Sequence, residues 1–452
     1  MRRPNILVFL TDDHGKWASG CYGARELRTP TLDWLAAEGT RFTRATTPCP
    51  VCSPARASFW TGRIPSQHGV HDWIHEPTRD RAWLSEERTL AEVLSASNYR
   101  TGFAGKWHCG RSWEPQPGFD YYLGENKEQY PHRGTCRFAE NGRPVVWEGR
   151  REAFVTRKAV DFLATDKERP FFLFVGYVAT HAPFKDQPAR LAARHARSKF
   201  PTIPRETYRG AAKPVNGLKP VEAEHRRRLR EYAAAVEYID EQVGEVLDVL
   251  ESDGRLDDTL VVYTSDHGHM NGHHGLWLKG NATVPQNFLD ESIGLPCLMR
   301  WPGRVPVGVF DGPFDHCDLF RTVLAAAGAR ETEEAERARN SPGADVLPVL
   351  GKTGGAWRDA TFCEYGNARM VRTNRWKLIV RWAPHVGDEL YDLERDPRET
   401  TNRIADPECA GALAELRARL ERFHGKYDVP GKRGIDPLPD HNGGEPWTRK
   451  AP

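Results

Sequence analysis

Apolar runs of strand length recur along the chain, and each ends abruptly in polar or glycine-rich residues. The first, residues 6–10, gives way to Thr11-Asp12-Asp13-His14-Gly15. Similar runs lie at 101–104, 170–178, 260–264 and 297–301. Helical patterns separate them, at 31–38, 89–96, 153–165, 221–251 and 320–327. Strands alternating with helices predict a mainly parallel sheet with helices on both faces.

Two segments, 111–148 and 185–219, are rich in Pro, Gly, Arg and aromatics. They read as long loops grafted on this frame, and loops of that length often carry function. The texture changes after Gly351. Residues 369–372, a turn at Asn374 and residues 376–382 read as an antiparallel hairpin, followed by a strand at 388–393 and a helix near 410–423. The expected division is therefore a catalytic domain over 1–352 and a smaller α+β subdomain over 353–452, ending in an extended tail.

Composition narrows the class. With 452 residues the chain can bury a large core, and 39% hydrophobic with 28% charged residues is ordinary for a soluble globular protein. A net charge of +2 gives no global field for nucleic acid or a membrane surface. The basic run at 225–228 falls in a charged helical pattern and reads as a solvated face. Nowhere are there roughly 18 consecutive apolar residues. The first apolar run is short for a signal-peptide core and leads into Asp12-Asp13 without a small-residue cleavage site. The expectation is a cytoplasmic protein whose nine cysteines are reduced thiols.

In open parallel sheets, ligands bind beyond the carboxyl ends of the strands. Asp12 and Asp13 follow the first run, and Asp266 and His267 follow the run at 260–264. One Asp near a Gly is commonly a turn residue. Two acidic clusters brought by two strands to one rim suit a hard divalent cation. Lys106 and His108 follow the run at 101–104, His181 follows 170–178, and Lys279 comes soon after the second acidic cluster. Singly, each His is an ordinary structural residue. Together at one rim they offer cations and a proton donor for anionic chemistry.

Residues 48–56, Pro-Cys-Pro-Val-Cys-Ser-Pro-Ala-Arg, support two readings. Cys49 and Cys52 form a Cys-x-x-Cys pair. A zinc ribbon needs a second pair, which does not occur, and a thioredoxin-like dithiol needs its own small βαβ unit. Alternatively, Ser53 suits a helix N-cap and Pro54 the first helical position, so that a helix begins over 55–59. Cys52 then lies at the positive end of the helix with Arg56 close by, an arrangement for an anion. The residues favour one special cysteine and leave the dithiol open.

Cys52-Ser53-Pro54-Ala55-Arg56, continued by Ala57 to Arg63, resembles the signature of the type I sulfatases in the alkaline phosphatase superfamily. The Asp12-Asp13 start, Gly105-Lys106-Trp107-His108, His181-Ala182-Pro183-Phe184, Ser265-Asp266-His267-Gly268, Lys279 and Glu389-Leu390-Tyr391-Asp392-Leu393 match in order. The resemblance implies an α/β/α sandwich around a large, mainly parallel sheet with a smaller C-terminal α+β subdomain carrying a short antiparallel sheet. It implies a hydrolase of sulfuric esters. Cys52 would be oxidised by a maturation enzyme to formylglycine (3-oxoalanine). One hydroxyl of the hydrated aldehyde attacks sulfur, and the other collapses to the aldehyde and expels sulfate. Asp12, Asp13, Asp266 and His267 would hold the metal, Ca²⁺ with Mn²⁺, Zn²⁺ or Mg²⁺ as alternatives. Arg56 and Lys106 would steady the diol, Lys279 and His181 would contact sulfate, and His108 would act on the diol proton.

Two positions depart from the family pattern. His267 stands where many sulfatases have Asn and is similar to choline sulfatases and phosphonate monoester hydrolases. It keeps a phosphonate or phosphodiester hydrolase as the alternative. His269 stands where an acidic residue is usual, and His274 is a candidate substrate contact or a surface residue. Trp73, Trp113 and Trp147 in rim segments favour a sulfated sugar as substrate, by ring stacking. A catalytically silent glycan binder would have no use for the full set of Cys, Lys, His and Arg. The expected partners are a sulfate ester and the maturation enzyme, with no nucleic acid and no membrane.

Overall fold

A computed structural model describes residues 3–76, 78–125, 131–204, 206–215, 222–352, 357–382 and 387–435. Its strands are β1 (Asn5–Thr11), β2 (Thr40–Phe42), β3 (Arg100–Gly105), β4 (Tyr121–Glu125), β5 (Arg133–Glu140), β6 (Arg143–Arg150), β7 (Phe171–Gly176) and β8 (Lys213–Pro214). They continue with β9 (Thr259–Ser265), β10 (Thr283–Val284), β11 (Cys297–Arg300), β12 (Gly308–Phe310), β13 (Thr361–Tyr365), β14 (Ala368–Arg372), β15 (Trp376–Arg381) and β16 (Glu389–Asp392).

Ten of these form one sheet in the order β12-β2-β11-β9-β1-β7-β3-β4-β5-β6. The central run from β9 to β4 is parallel. Alternation along β1 explains its unbroken apolar sequence. Ile6, Val8 and Leu10 enter one core layer with Phe59, Trp60 and Phe320; Leu7 and Phe9 enter the other with Leu35, Phe162 and Ile239. A strand buried on both faces needs apolar residues at every position. The helices Cys52–Thr61, Leu90–Ala96 and His316–Ala327 cover the first face, and Pro30–Ala37, Arg151–Ala164 and Glu222–Ser252 the second.

Two expectations are corrected and a third holds in part. The run at 297–301 is a strand, β11, but it lies antiparallel to β9. Segment 111–148, of which 126–130 lie outside the described residues, is not one long loop. It contains β4, β5 and most of β6, which extend the sheet, and Asn141-Gly142 closes the β5–β6 hairpin with φ of 48° and 79°. Two positive φ values in sequence are what a tight hairpin turn demands, and Asn-Gly supplies them at least cost. The many arginines hide the hairpin because β6 is largely exposed and has no continuous apolar face. Segment 185–219 does contain irregular backbone, together with the helix Ala189–Arg194 and the short strand β8, which pairs with β10. Positions 205 and 216–221 lie outside the described residues, as does the expected tail beyond 435.

The four-stranded antiparallel sheet β13-β14-β15-β16 forms the C-terminal body. Helix Ala410–Tyr427 covers one face through Leu416 and Leu420, packed on Val371, Leu378 and Leu390. The other face, through Met370, Ile379 and Tyr391, packs on Cys49, Val51, Phe288 and Ile293. The small sheet thus leans directly on the segment that leads into Cys52. Among the described residues, no helix is long and apolar enough to cross a membrane. In the basic run at 225–228, Arg227 and Arg228 pair with Glu224 on their own helix, and Arg227 also with Glu231.

Candidate active site

The carboxyl ends of β1, β9, β3 and β7 deliver the polar residues to one rim. Asp12 and Asp13 follow β1, Asp266 and His267 follow β9, and Lys106 follows β3. Gly105 makes the last turn possible. Its φ is 124°, and a Cβ there would lie 2.1 Å from the Gly176 carbonyl oxygen on the neighbouring strand.

Cys52 is the first residue of the helix Cys52–Thr61, whose N-cap is Val51. The expected Ser53 cap is corrected, because the Ser53 hydroxyl accepts from the Ile74 amide at 2.9 Å instead. The helix therefore begins two residues earlier, with Cys52 in its first position and no side chain capping its N-terminus. Gly62 ends the helix at φ 65°, where a Cβ would meet Phe320 at 2.5 Å. The whole helix is buried. Trp60 anchors it in an aromatic cluster with Trp107 and Phe174, at ring distances of 5.1 and 4.7 Å.

Around Cys52 the groups are close. Lys279 Nζ donates to its Sγ at 3.0 Å, His267 Nε2 lies at 3.3 Å, and Sγ is 3.4 Å from Asp12 Oδ1. Lys106 Nζ pairs with Asp12 Oδ2, and Lys279 Nζ with Asp13 Oδ1. Arg56 donates from Nε to Asp266 Oδ2 at 3.0 Å and from Nη1 to the Lys106 carbonyl at 2.7 Å. Burial alone would push the Cys52 thiol up, but Lys106, Lys279 and His267 together hold it well below the ordinary thiol range. The site is built to carry negative charge at position 52.

Cys49 is a different residue chemically. It is fully buried in the apolar cluster with Val51, Phe288 and Tyr365, and burial pushes its thiol well up. All nine cysteines are free, so the pair forms no disulfide.

His108 and His181 complete the ring. His108 Nε2 donates to the Ile74 carbonyl at 2.9 Å, and burial with the nearby Lys106 lowers its pKa to about 4, which keeps the imidazole neutral. For His181, burial favours the neutral form, but Asp13 and Asp12 outweigh it and raise the pKa. His181 Nδ1 hydrogen-bonds the Ala182 carbonyl at 2.6 Å.

One ligand atom each from Asp12, Asp13, Cys52 and His267 lies within 4.8 Å of all the others, and all four residues are buried. Asp266 Oδ1 is 3.3 Å from His267 Nε2, at the edge of this group. Three carboxylates and an imidazole turned inward together fit a divalent cation. His269 packs beneath it, 3.5 Å from Asp13 Oδ2 and stacked on Tyr232, with its pKa lowered by burial to about 3. It supports Asp13 as a neutral ring.

The site opens into a cavity of about 750 Å³, lined by Asp13, Cys52, His108, His181 and Lys279 at its base and by Trp73, His75, Arg79, Trp113 and Asn281 toward its mouth. Trp73 stacks on His75 at 4.2 Å. Trp147 is corrected. It stacks on Phe154 at 5.0 Å, packed against the helix that follows it, and does not line the cavity. His274 does not line it either; it pairs with Glu291 at 3.1 Å. The sequence reading missed Glu125, which lines the cavity from the end of β4 and lies 3.6 Å from Arg151. The strand-end rule points to it once β4 is recognised as a strand.

A sulfatase family model matches residues 4–329, and a second, for the C-terminal part of N-sulphoglucosamine sulphohydrolase, matches 281–426. N-acetylglucosamine-6-O-sulfatase of Bacteroides thetaiotaomicron is 27% identical over 509 residues, covering 94% of this chain and 87% of that protein. Arylsulfatase A of Bos taurus is 31% identical over 493 residues, covering 94% and 88%. The solved structure of BT4656 in complex with its substrate D-glucosamine-2-N,6-O-disulfate superposes with a TM-score of 0.82 at 26% identity, covering 94% of this chain and 98% of that one. The chain belongs to the type I sulfatase family of the alkaline phosphatase superfamily and is a hydrolase of sulfuric ester bonds.

Proposed function

We propose that the protein removes a sulfate monoester from a carbohydrate, through a formylglycine made from Cys52 and a divalent cation held by Asp12, Asp13, Asp266 and His267. The observation that carries this reading is the position of Cys52. It stands at a buried helix N-terminus, at the base of a cavity with cations at its floor and an aromatic platform at its mouth. The substrates in the names of two similar proteins are sulfated glucosamines.

The hydrated aldehyde would supply a geminal diol nucleophile, and the cation would supply Lewis-acid charge stabilisation at the sulfate. An imidazole among the ligands keeps Mn²⁺ and Zn²⁺ beside Ca²⁺. The chain's own residues do the rest. Arg56 is locked by Asp266 and the Lys106 carbonyl, so it fixes the rim on which the nucleophile is oriented. Lys106 and Lys279, both buried, bring positive charge to the anionic reacting group without the cost of reorganising water. His181 hydrogen-bonds the Ala182 carbonyl through Nδ1, so the proton it can give the leaving oxygen is on Nε2. His108 donates through Nε2 and stays neutral, so Nδ1 can accept a proton on the Cys52 side.

The test is turnover by matured protein of N-acetylglucosamine 6-sulfate, an aryl sulfate and an aryl phosphonate. The sugar sulfate should be the best substrate, and Trp73→Ala should raise its KM by roughly 3- to 10-fold, the value of one lost ring contact. A large excess of turnover on the phosphonate would overturn the reading in favour of a phosphonate or phosphodiester hydrolase.

A further inference from the structure

Lys279 touches both Asp13 and Cys52, yet no regular helix or strand carries it. The residue before it, Leu278, has φ 70°, a left-handed conformation that branched side chains avoid. Such a backbone persists only where its surroundings hold it, and it often marks a functional site.

Met270 N donates to the Leu278 carbonyl and Ala282 N to the Lys279 carbonyl, each at 2.8 Å, and the side-chain part of the hold comes from Asn287. Asn287 Nδ2 donates to the Lys279 carbonyl at 3.0 Å and to the Gly280 carbonyl at 3.2 Å. Its backbone amide donates to Gly280 O at 3.0 Å as well. Asn287 Oδ1 accepts from Ser292 Oγ at 2.7 Å, which fixes the amide the right way round. Gly280 N in turn donates to Pro50 O at 3.1 Å, two residues before Cys52. Asn287 is 1% exposed, so these bonds do not compete with water.

Asn287 is itself held from the C-terminal sheet. Lys377 Nζ donates to the Phe288 carbonyl and Arg381 Nη2 to the Gln286 carbonyl, each at 2.9 Å. These two cations stand four residues apart on β15, on the face it turns to the catalytic body, with Ile379 between them. Both are buried, and their charges are met by Asp290 at 2.6 Å for Lys377 and by Glu389 at 3.1 Å for Arg381. A sheet that only needed to adhere would use apolar residues here, because buried cations carry a desolvation cost. Their placement on the carbonyls either side of Asn287 gives them a directional purpose.

We propose that Asn287 is the positioning residue for Lys279, and that Lys377 and Arg381 extend this control to the C-terminal sheet. The small subdomain is then part of the catalytic apparatus, because it sets where the Lys279 ammonium meets the sulfate. The role of Lys279 on sulfate rests on the function proposed above; the positioning itself does not.

The experiment is a double-mutant cycle read by kcat/KM on a sulfate ester. Asn287→Ala should lower kcat/KM at least tenfold in the wild-type background and less than twofold when Lys279 is already Ala. Lys377→Met should show the same dependence with a smaller loss. A loss from Asn287→Ala that multiplies fully with Lys279→Ala would overturn the proposal, since it would mean a general structural role. Hydrogen exchange gives an arm independent of activity. Amides of residues 278–282 should exchange faster in Asn287→Ala while β1 and β9 keep wild-type protection, and unchanged exchange in that loop would equally overturn it. Failure of wild-type protein to hydrolyse any sulfate ester would sink the functional reading alone, leaving the exchange arm to decide this one.

Discussion

Arg56→Lys is the substitution that most sharply tests how the rim is held. Arg56 is 1% exposed and reaches three groups, Asp266 at 3.0 Å, the Lys106 carbonyl at 2.7 Å and Asp12 at 3.9 Å. A planar fork can serve all three at once, whereas one ammonium on a flexible stem cannot. If lysine keeps the Asp266 contact, it forfeits the bond to the carbonyl, about 0.5–1.5 kcal/mol; if it forfeits Asp266, the loss is about 1.5–3 kcal/mol. Burial leaves the abandoned acceptor without water, a further cost of about 1–3 kcal/mol, so the expected destabilisation is about 2–4 kcal/mol. At roughly 1 °C per kcal/mol for a chain of this size, the melting temperature should fall by about 2–4 °C. Turnover should fall by about a hundredfold, because the Asp266 and Lys106 ends of two strands are no longer tied together. Calorimetry and initial rates give both readings, and the mass of the Cys52 peptide excludes a simple failure of maturation. A variant that melts within about a degree of wild type and turns over normally would refute the claim that the fork organises the rim.

Cys49→Ala should keep turnover within about twofold of wild type while Cys52→Ala abolishes it, since only Cys52 faces the lysines; equal losses would restore the dithiol reading. Glu291 offers a test by pH. Burial would raise its pKa, but the hydrogen bond from His274 and the charges of His273 and Arg398 lower it to about 2. Its stabilising effect is therefore complete above the unfolded value near 4.5 and is lost as pH falls toward 2, at most about 3 kcal/mol. The difference in unfolding free energy between wild type and Glu291→Gln should shrink steadily below pH 4.5, and a difference that stays constant over that range would refute the assignment.

The site was legible where chemistry sits next to strongly apolar strands. Asp12, Lys106, His181 and Asp266 follow runs that are buried on both faces, so the strand signal and the rim rule coincide. The hairpin β5–β6 was not legible, because an exposed edge is polar on the side that faces water and arginine-rich besides. Its Asn141-Gly142 turn was the available clue. Trp147 shows the limit of reading an aromatic by its neighbourhood in sequence, since its ring folds back onto Phe154. Asn287 carried no signal at all. Its importance comes from two carbonyls brought near by a loop and from cations on a strand about ninety residues later, which no local pattern reports.

The central claim is that Cys52 is remade into the nucleophile. It is tested most directly by the mass of the peptide containing residue 52, from protein produced alongside a formylglycine-generating enzyme and shown to hydrolyse a sulfate ester. Conversion of the thiol to an aldehyde should lower that mass by roughly 18 Da, with the Cys49 thiol in the same peptide still alkylatable. A fully active preparation in which Cys52 carries an unmodified thiol would contradict the account.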